Sequence, residues 1–167
     1  MLLIYTGNGK GKTSACVGQA IRALGQGLTV AFGQFMKRPG QAGEQKMLEH
    51  LLGERFRAGG KGFLRREEDR PAHRKAAQEL LQWAEDTLPD VDMLVLDETL
   101  YALGYDIVTR DEVEHLLELA EPHGRHLVLS GRGLPDWLAE RADLVTEMNE
   151  VKHPWQKGVQ ATRGIEF

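Results

Sequence analysis

Cysteine is almost missing from this chain of 167 residues: Cys16 stands alone. A lone cysteine excludes a disulfide framework and a thiolate metal cage, and it fits a reducing compartment. Cys16 reads as a small buried hydrophobe. Long apolar runs are also missing, since a bilayer-crossing helix needs roughly 20 such residues and the runs here are only a few residues long. A soluble chain with no membrane partner is therefore expected. The run from Leu2 to Tyr5 carries neither a basic leader nor a cleavage site, so no secretory signal is expected and the cytoplasm is the default location. Positive charge is not in excess. A formal net charge of -4 argues against a broad nucleic-acid-binding face. Internal repeats and low-complexity tracts are absent as well. What remains, with 41% hydrophobic residues, is enough for one domain over residues 1–167 with its own core.

What is present begins at once. Thr6, Gly7, Asn8, Gly9, Lys10, Gly11, Lys12 and Thr13 follow the apolar run Leu2 to Tyr5. This is a phosphate-binding loop placed where a strand ends and a helix begins, so that backbone N–H groups converge on phosphate oxygens. The glycines let the backbone curl around an anion, Lys12 supplies a mobile cation, and the Thr13 hydroxyl suits Mg²⁺. Ser14 completes the loop's entry into the helix. Thr6 replaces the first glycine of the general pattern, and Lys10 adds a second cation.

Beyond the loop, Cys16, Ala20, Ala23 and Leu24 share a helical face that Val17 and Ile21 widen, with Gly25 and Gly27 as the stop. Thr29 to Phe35 reads as a buried strand ending near Gln34 and Lys37. A short helix around Gln45 to Leu52, a short strand near Phe56 and a glycine-basic segment from Gly59 to Arg66 follow. Pro71 to about Thr87 is an amphipathic helix. Asp92 to Leu96 is a buried strand leading to Asp97 and Glu98, and Thr109 with Glu112 forms a capping box. His126 to Ser130, a short helix from Pro135 and a strand near Leu144 to Met148 complete the series. The alternation predicts an α/β fold of the P-loop NTPase-like (RecA-like) type, a mainly parallel sheet flanked by helices in three layers. Ligands of such sheets gather beyond the carboxyl ends of the strands, where every candidate site residue falls.

Met93 to Asp97 has the form of the second nucleotide motif, and Asp97 with Glu98 is read as the metal shell. Arg132, between Gly131 and Gly133, is free to fork two oxygens of a triphosphate. The segment from Lys152 to Phe167, with His153, Pro154, Trp155 and Gly158, reads as a loop able to carry binding residues. No activated serine, reactive cysteine or histidine-rich metal cluster emerges, so the reactive atom is expected from the second substrate.

Taken together, the loop, the run Gly33, Gln34, Phe35 with Lys37, Gly43 and Glu44, the triplet Leu96, Asp97, Glu98, and Gly131, Arg132, Gly133 resemble the ATP:corrinoid adenosyltransferases of the P-loop type. The resemblance continues through Ala142 to Met148, Lys152 to Pro154 and Gly164 to Glu166, and so covers nearly the whole chain. It implies that a cobalt(I) corrinoid attacks the 5' carbon of ATP, which is bound reversed relative to ordinary P-loop enzymes, and that inorganic triphosphate leaves. Lys10, Lys12, Arg132 and Mg²⁺ on Thr13 and Glu98 would then stabilise the leaving group, with Lys10 as additional neutralisation. A homodimer and a flavoprotein reductase are the partners implied.

Two departures from the family pattern shape the expectations. Members commonly carry an N-terminal extension over the corrinoid, whereas this sequence starts at its first strand, so a more exposed corrinoid or cover by a partner subunit is expected. Gly62 and Phe63 match a Gly-Phe-x-Trp element near the corrinoid, but Arg65 stands in place of the Trp. Phe63 is the candidate for the lower face of the cobalt. The loop and Asp97 alone also allow a nucleoside or nucleotide kinase, and the weakened aromatic element allows a carrier that holds ATP and corrinoid without transfer.

Overall fold

The computed structural model describes residues 1–166; Phe167, the end of the expected domain and of the C-terminal loop, lies outside the described residues. The strands are β1 (Leu2–Thr6), β2 (Val30–Gln34), β3 (Phe56–Ala58), β4 (Met93–Asp97), β5 (His126–Ser130) and β6 (Leu144–Glu147). They form one six-stranded sheet in the order β3-β2-β4-β5-β1-β6, with every pairing parallel. The helices are α1 (Lys12–Gly25), α2 (Gly43–Leu52), α3 (Arg70–Thr87), α4 (Thr99–Gly104), α5 (Arg110–Ala120) and α6 (Asp136–Arg141).

Side-chain alternation along the strands divides the apolar residues between two faces. Leu3, Val30, Phe32, Met93, Val95 and Val128 pack against Cys16, Ala20 and Ala23 of α1 and Leu48 and Leu52 of α2. Leu2, Ile4, Ala31, Leu94, Leu96, Leu127 and Leu129 pack on the other side against α3, α4, α5 and α6. Both faces are covered, which is why the central strands are apolar almost throughout and why the architecture has three layers. Leu80 of α3 is fully buried in the second cluster, and truncation to Ala there would cost about 2–5 kcal/mol.

Local signals place the helices. Thr109 Oγ1 accepts from the Glu112 amide while the Glu112 carboxylate accepts from the Thr109 amide, the reciprocal box that starts α5. Ile21, expected to widen the buried face of α1, is 45% exposed, because the sheet accepts only the narrower stripe of Cys16, Ala20 and Ala23. Helix α4 was not expected. Its six residues are too few for a readable period, and it is fixed by burial of Leu100 and Ala102 and by a bond from Thr99 Oγ1 to the Leu96 carbonyl.

Strand order builds the site. β4, β5 and β1 are neighbours, so their carboxyl ends set Asp97, Ser130 and the phosphate loop side by side, with Gln34 of β2 next in the row.

Candidate active site

The loop after β1 curls tightly because another part of the chain presses on it. Gly7 sits at φ 97°, in the left-handed region that side chains avoid, and a Cβ there would lie 2.4 Å from the Met148 carbonyl oxygen. A Cβ on Gly9 would lie 2.7 Å from the same oxygen, which accepts a hydrogen bond from the Gly9 amide at 2.7 Å. Lys12 is 8% exposed and donates to the carbonyls of Gly7 (2.7 Å) and Gly9 (2.8 Å). Burial, and then Arg132, push its ammonium below the ordinary lysine range. Helix α1 opens with Gly11 at its N-cap, no side-chain cap and no acidic residue in its first turn. Its N-terminal end therefore offers positive potential that no carboxylate of its own first turn neutralises.

Behind the loop lies a closed polar network. The Asp97 carboxylate is fully buried and accepts from Thr13 Oγ1 (3.1 and 3.0 Å), Ser130 Oγ (2.6 Å) and Gln34 Nε2 (3.2 Å). Lys37 Nζ lies 3.4 Å from it, donates to Thr13 Oγ1 at 3.0 Å and pairs with Glu44 Oε1 at 2.7 Å. Burial alone would lower the Lys37 value, but Asp97 and Glu44 more than offset it and the net shift is upward. Every oxygen of Asp97 is thus engaged, as a buried carboxylate requires.

Glu98 differs. It takes φ 63° at the head of α4, its amide donates to Ser130 Oγ at 3.1 Å, and among the described residues its carboxylate makes no hydrogen bond or ion pair. Burial, and then the neighbouring Asp97 charge, raise its pKa above the usual carboxylate range. Glu98 lines a cavity of about 630 Å³ together with Gly9 to Ser14, Lys37, Glu44 and Arg132. Phe63 and Tyr101 line the same cavity. The Phe63 ring, 61% exposed, meets Tyr101 edge-on at 5.4 Å, and Tyr101 stacks on Tyr105 at 4.4 Å. Burial, and then the adjacent Tyr105, hold the Tyr101 phenol up at about 12, so it stays neutral. His153, Gly164, Ile165 and Glu166 of the C-terminal loop also reach this cavity.

Residues 1–167 match the family described as ATP:corrinoid adenosyltransferase BtuR/CobO/CobP. The chain belongs to that family. It is 36% identical over 171 residues to a corrinoid adenosyltransferase of Sinorhizobium sp, covering all of this chain and 80% of that one. To the corrinoid adenosyltransferase of Escherichia coli K12 it is 37% identical over 169 residues, covering all of this chain and 85% of that one. Among solved structures, the flagellar accessory protein FlaH from Methanocaldococcus jannaschii superposes with a TM-score of 0.57 at 12% identity, covering 87% of this chain and 69% of that one; this likeness is one of fold alone. The fold is the P-loop type, and the enzyme transfers the adenosyl group of ATP to a corrinoid, a step of cobalamin biosynthesis. Alkyl transfer thereby displaces both the kinase and the carrier as readings.

In this adenosyltransferase the residues singled out in the sequence meet at one cavity: Gly9, Lys10, Gly11, Lys12, Thr13, Ser14, Glu98, Arg132 and Phe63 all line it. Gly7 and Asn8 shape the loop from behind, Gly7 through its carbonyl to Lys12 and Asn8 through its carbonyl to Arg132 Nη2 at 3.1 Å. Asp97 lies one layer deeper, bonded to Thr13. Arg65 is exposed and does not line the cavity. Four residues without an assigned role also belong here: Lys37, Glu44, Ser130 and Tyr101. Lys37 was visible as a polar residue after a strand, Lys37 and Glu44 also as part of the family resemblance, and Ser130 only as the end of a strand. What joins them to Thr13 and Asp97 is strand order, which a single sequence does not print.

No helix among the described residues is long and apolar enough to cross a membrane.

Proposed function

We propose that this single domain, residues 1–167, releases the three phosphates of ATP as one triphosphate while the cobalt(I) of the corrinoid attacks the 5' carbon. ATP lies reversed, its triphosphate in the loop and its ribose turned toward Phe63. The observation that carries this reading is the mixed lining of one cavity: Lys10, Lys12 and Arg132 bring cations to it, Phe63 and Tyr101 bring aromatic surface, and among the described residues that line it no serine or threonine is hydrogen-bonded to a histidine. Cys16 supports it, since burial removes that thiol from the cavity and pushes its pKa well up.

The donor set fits Mg²⁺. Thr13 Oγ1 and the unpaired Glu98 carboxylate are hard oxygens at the cavity edge, and no group of three or more His, Cys, Asp or Glu side chains suited to a metal occurs among the described residues. Few protein ligands completed by phosphate oxygens and water is how Mg²⁺ is bound at nucleotide sites. Thr13 and Glu98 would hold it directly and Asp97 from behind Thr13, and the metal would neutralise charge on the departing triphosphate. Lys12 and Arg132 do the same through N–H donors, and Lys10 adds a third, exposed cation. The exposed face of Phe63 is the platform for the lower side of the corrinoid ring. A homodimer, a flavoprotein reductase as electron donor and a cytoplasmic location complete the reading.

The test mixes protein, Mg-ATP and chemically reduced corrinoid and identifies both products. Adenosylated corrinoid with an equal amount of tripolyphosphate is expected. ADP, or phosphate and pyrophosphate formed at the rate of adenosylation, would overturn it.

A further inference from the structure

We propose that Glu44, acting through Lys37, is a positioning residue that fixes the Thr13 hydroxyl for the metal. The inference rests on the reading of Thr13 as a metal-binding group. Glu44 stands in the first turn of α2, and Lys37 lies just beyond the end of β2. The Lys37 ammonium has three N–H donors and three oxygens within reach: Glu44 Oε1 at 2.7 Å, Thr13 Oγ1 at 3.0 Å and Asp97 Oδ2 at 3.4 Å. The single Thr13 proton is directed to Asp97, and Lys37 fills one lone pair of the same oxygen. One lone pair is left for a cation.

A lysine stem is flexible, so this arrangement needs something to hold the ammonium in place. Glu44 supplies the shortest of the three contacts. Glu44 is itself tied to the sheet: Gln34 Nε2 donates to Glu44 Oε1 (3.3 Å) and Asp97 Oδ2 (3.2 Å), and Gln45 Nε2 donates to Gln34 Oε1 (2.8 Å). The start of α2 is therefore joined through side chains to the ends of β2 and β4. Groups behind a metal ligand typically change metal affinity about 10–100-fold when removed, although they never touch the ion.

The experiment follows Mn²⁺ binding to the protein-ATP complex by electron paramagnetic resonance, without corrinoid, alongside steady-state kinetics. Glu44→Gln is expected to weaken Mn²⁺ about tenfold and raise KM for Mg-ATP to a similar extent, with kcat within about twofold of the parent. Lys37→Met is expected to do at least as much. The double variant should bind no more weakly than Lys37→Met alone, because the proposal routes Glu44 to Thr13 through that lysine and not through Gln34. Glu44→Asp, which keeps the charge on a shorter stem, should recover part of the loss and serves if Glu44→Gln does not fold. Mn²⁺ affinity unchanged in Glu44→Gln, or additive losses in the double variant, would overturn the proposal. Thr13→Ala is the separate control: normal Mn²⁺ affinity there sinks the metal reading itself, and the proposal with it.

Discussion

The polar and the aromatic residues at the site are held on opposite principles. On the phosphate side, Lys12 is held by two loop carbonyls and Asp97 is fully buried among hydroxyl, amide and ammonium donors. On the aromatic side, Phe63 is 61% exposed and its ring is steadied by the edge of Tyr101. The difference fits the proposed placement of triphosphate at the first group of residues and corrinoid at the second. A leaving triphosphate gathers charge in the transition state, and donors already fixed in place stabilise it without reorganising. A corrinoid ring is large and is gripped by area, which an exposed aromatic provides without a rigid polar frame.

Changes on the phosphate side should cut deepest. Lys12→Ala is expected to lower turnover by roughly 10²–10³-fold, the cost of losing one such donor, measured with saturating corrinoid; a loss confined to KM for ATP would mean that the lysine binds the ground state equally well. Asp97→Ala should destabilise the fold by about 3–5 kcal/mol in urea unfolding, because it strips a buried partner from Lys37, Thr13, Ser130 and Gln34. Equal stability would show that the network is held by packing and not by that carboxylate. Phe63→Ala should raise KM for the corrinoid about tenfold, roughly the value of one aromatic contact, and leave the melting temperature unchanged. A fall in stability of the same size would erase the contrast between the two sides.

The smallest expected effect comes from a paired carboxylate on the scaffold. Burial would raise the Glu112 pKa, but Arg74 at 2.7 and 2.8 Å and the Thr109 bonds outweigh it, and the net shift is downward. A depressed carboxylate contributes stability that is present above its unfolded pKa and is lost as pH falls through the lower folded value. Glu112→Gln should therefore cost about 1 kcal/mol near pH 7 and nothing measurable once the pH is below both values. A cost independent of pH would assign the effect to the shape of the helix cap and not to its charge.

Much of this was readable from the sequence because chemistry and period coincide there. The phosphate loop follows an apolar run, Asp97 and Glu98 end another, and the strands at Val30, Met93 and His126 are apolar enough to announce burial on two faces. The Thr109–Glu112 box marks α5 from four residues. What stayed hidden depends on neighbours in space. Ser130 meets Asp97 only because β5 lies beside β4, and the pairing of Lys37 with Glu44 needs the turn that brings α2 back over β2. Helix α4 is fixed by tertiary burial instead of by a repeating pattern, and the exposure of Ile21 reflects how narrow a stripe the sheet can cover.

The contact between Met148 and the loop glycines reaches further than its size suggests. Thr6 accepts the Met148 amide at 2.8 Å, and the Met148 carbonyl then takes the Gly9 amide, so the edge strand is laced to the cradle near its first turn. An added methyl at Gly7 or Gly9 would collide with that lacing before it met any ligand. Such a variant would shed its C-terminal seam, and the weakened ATP retention it displayed would report a displaced strand, not a missing grip on the nucleotide.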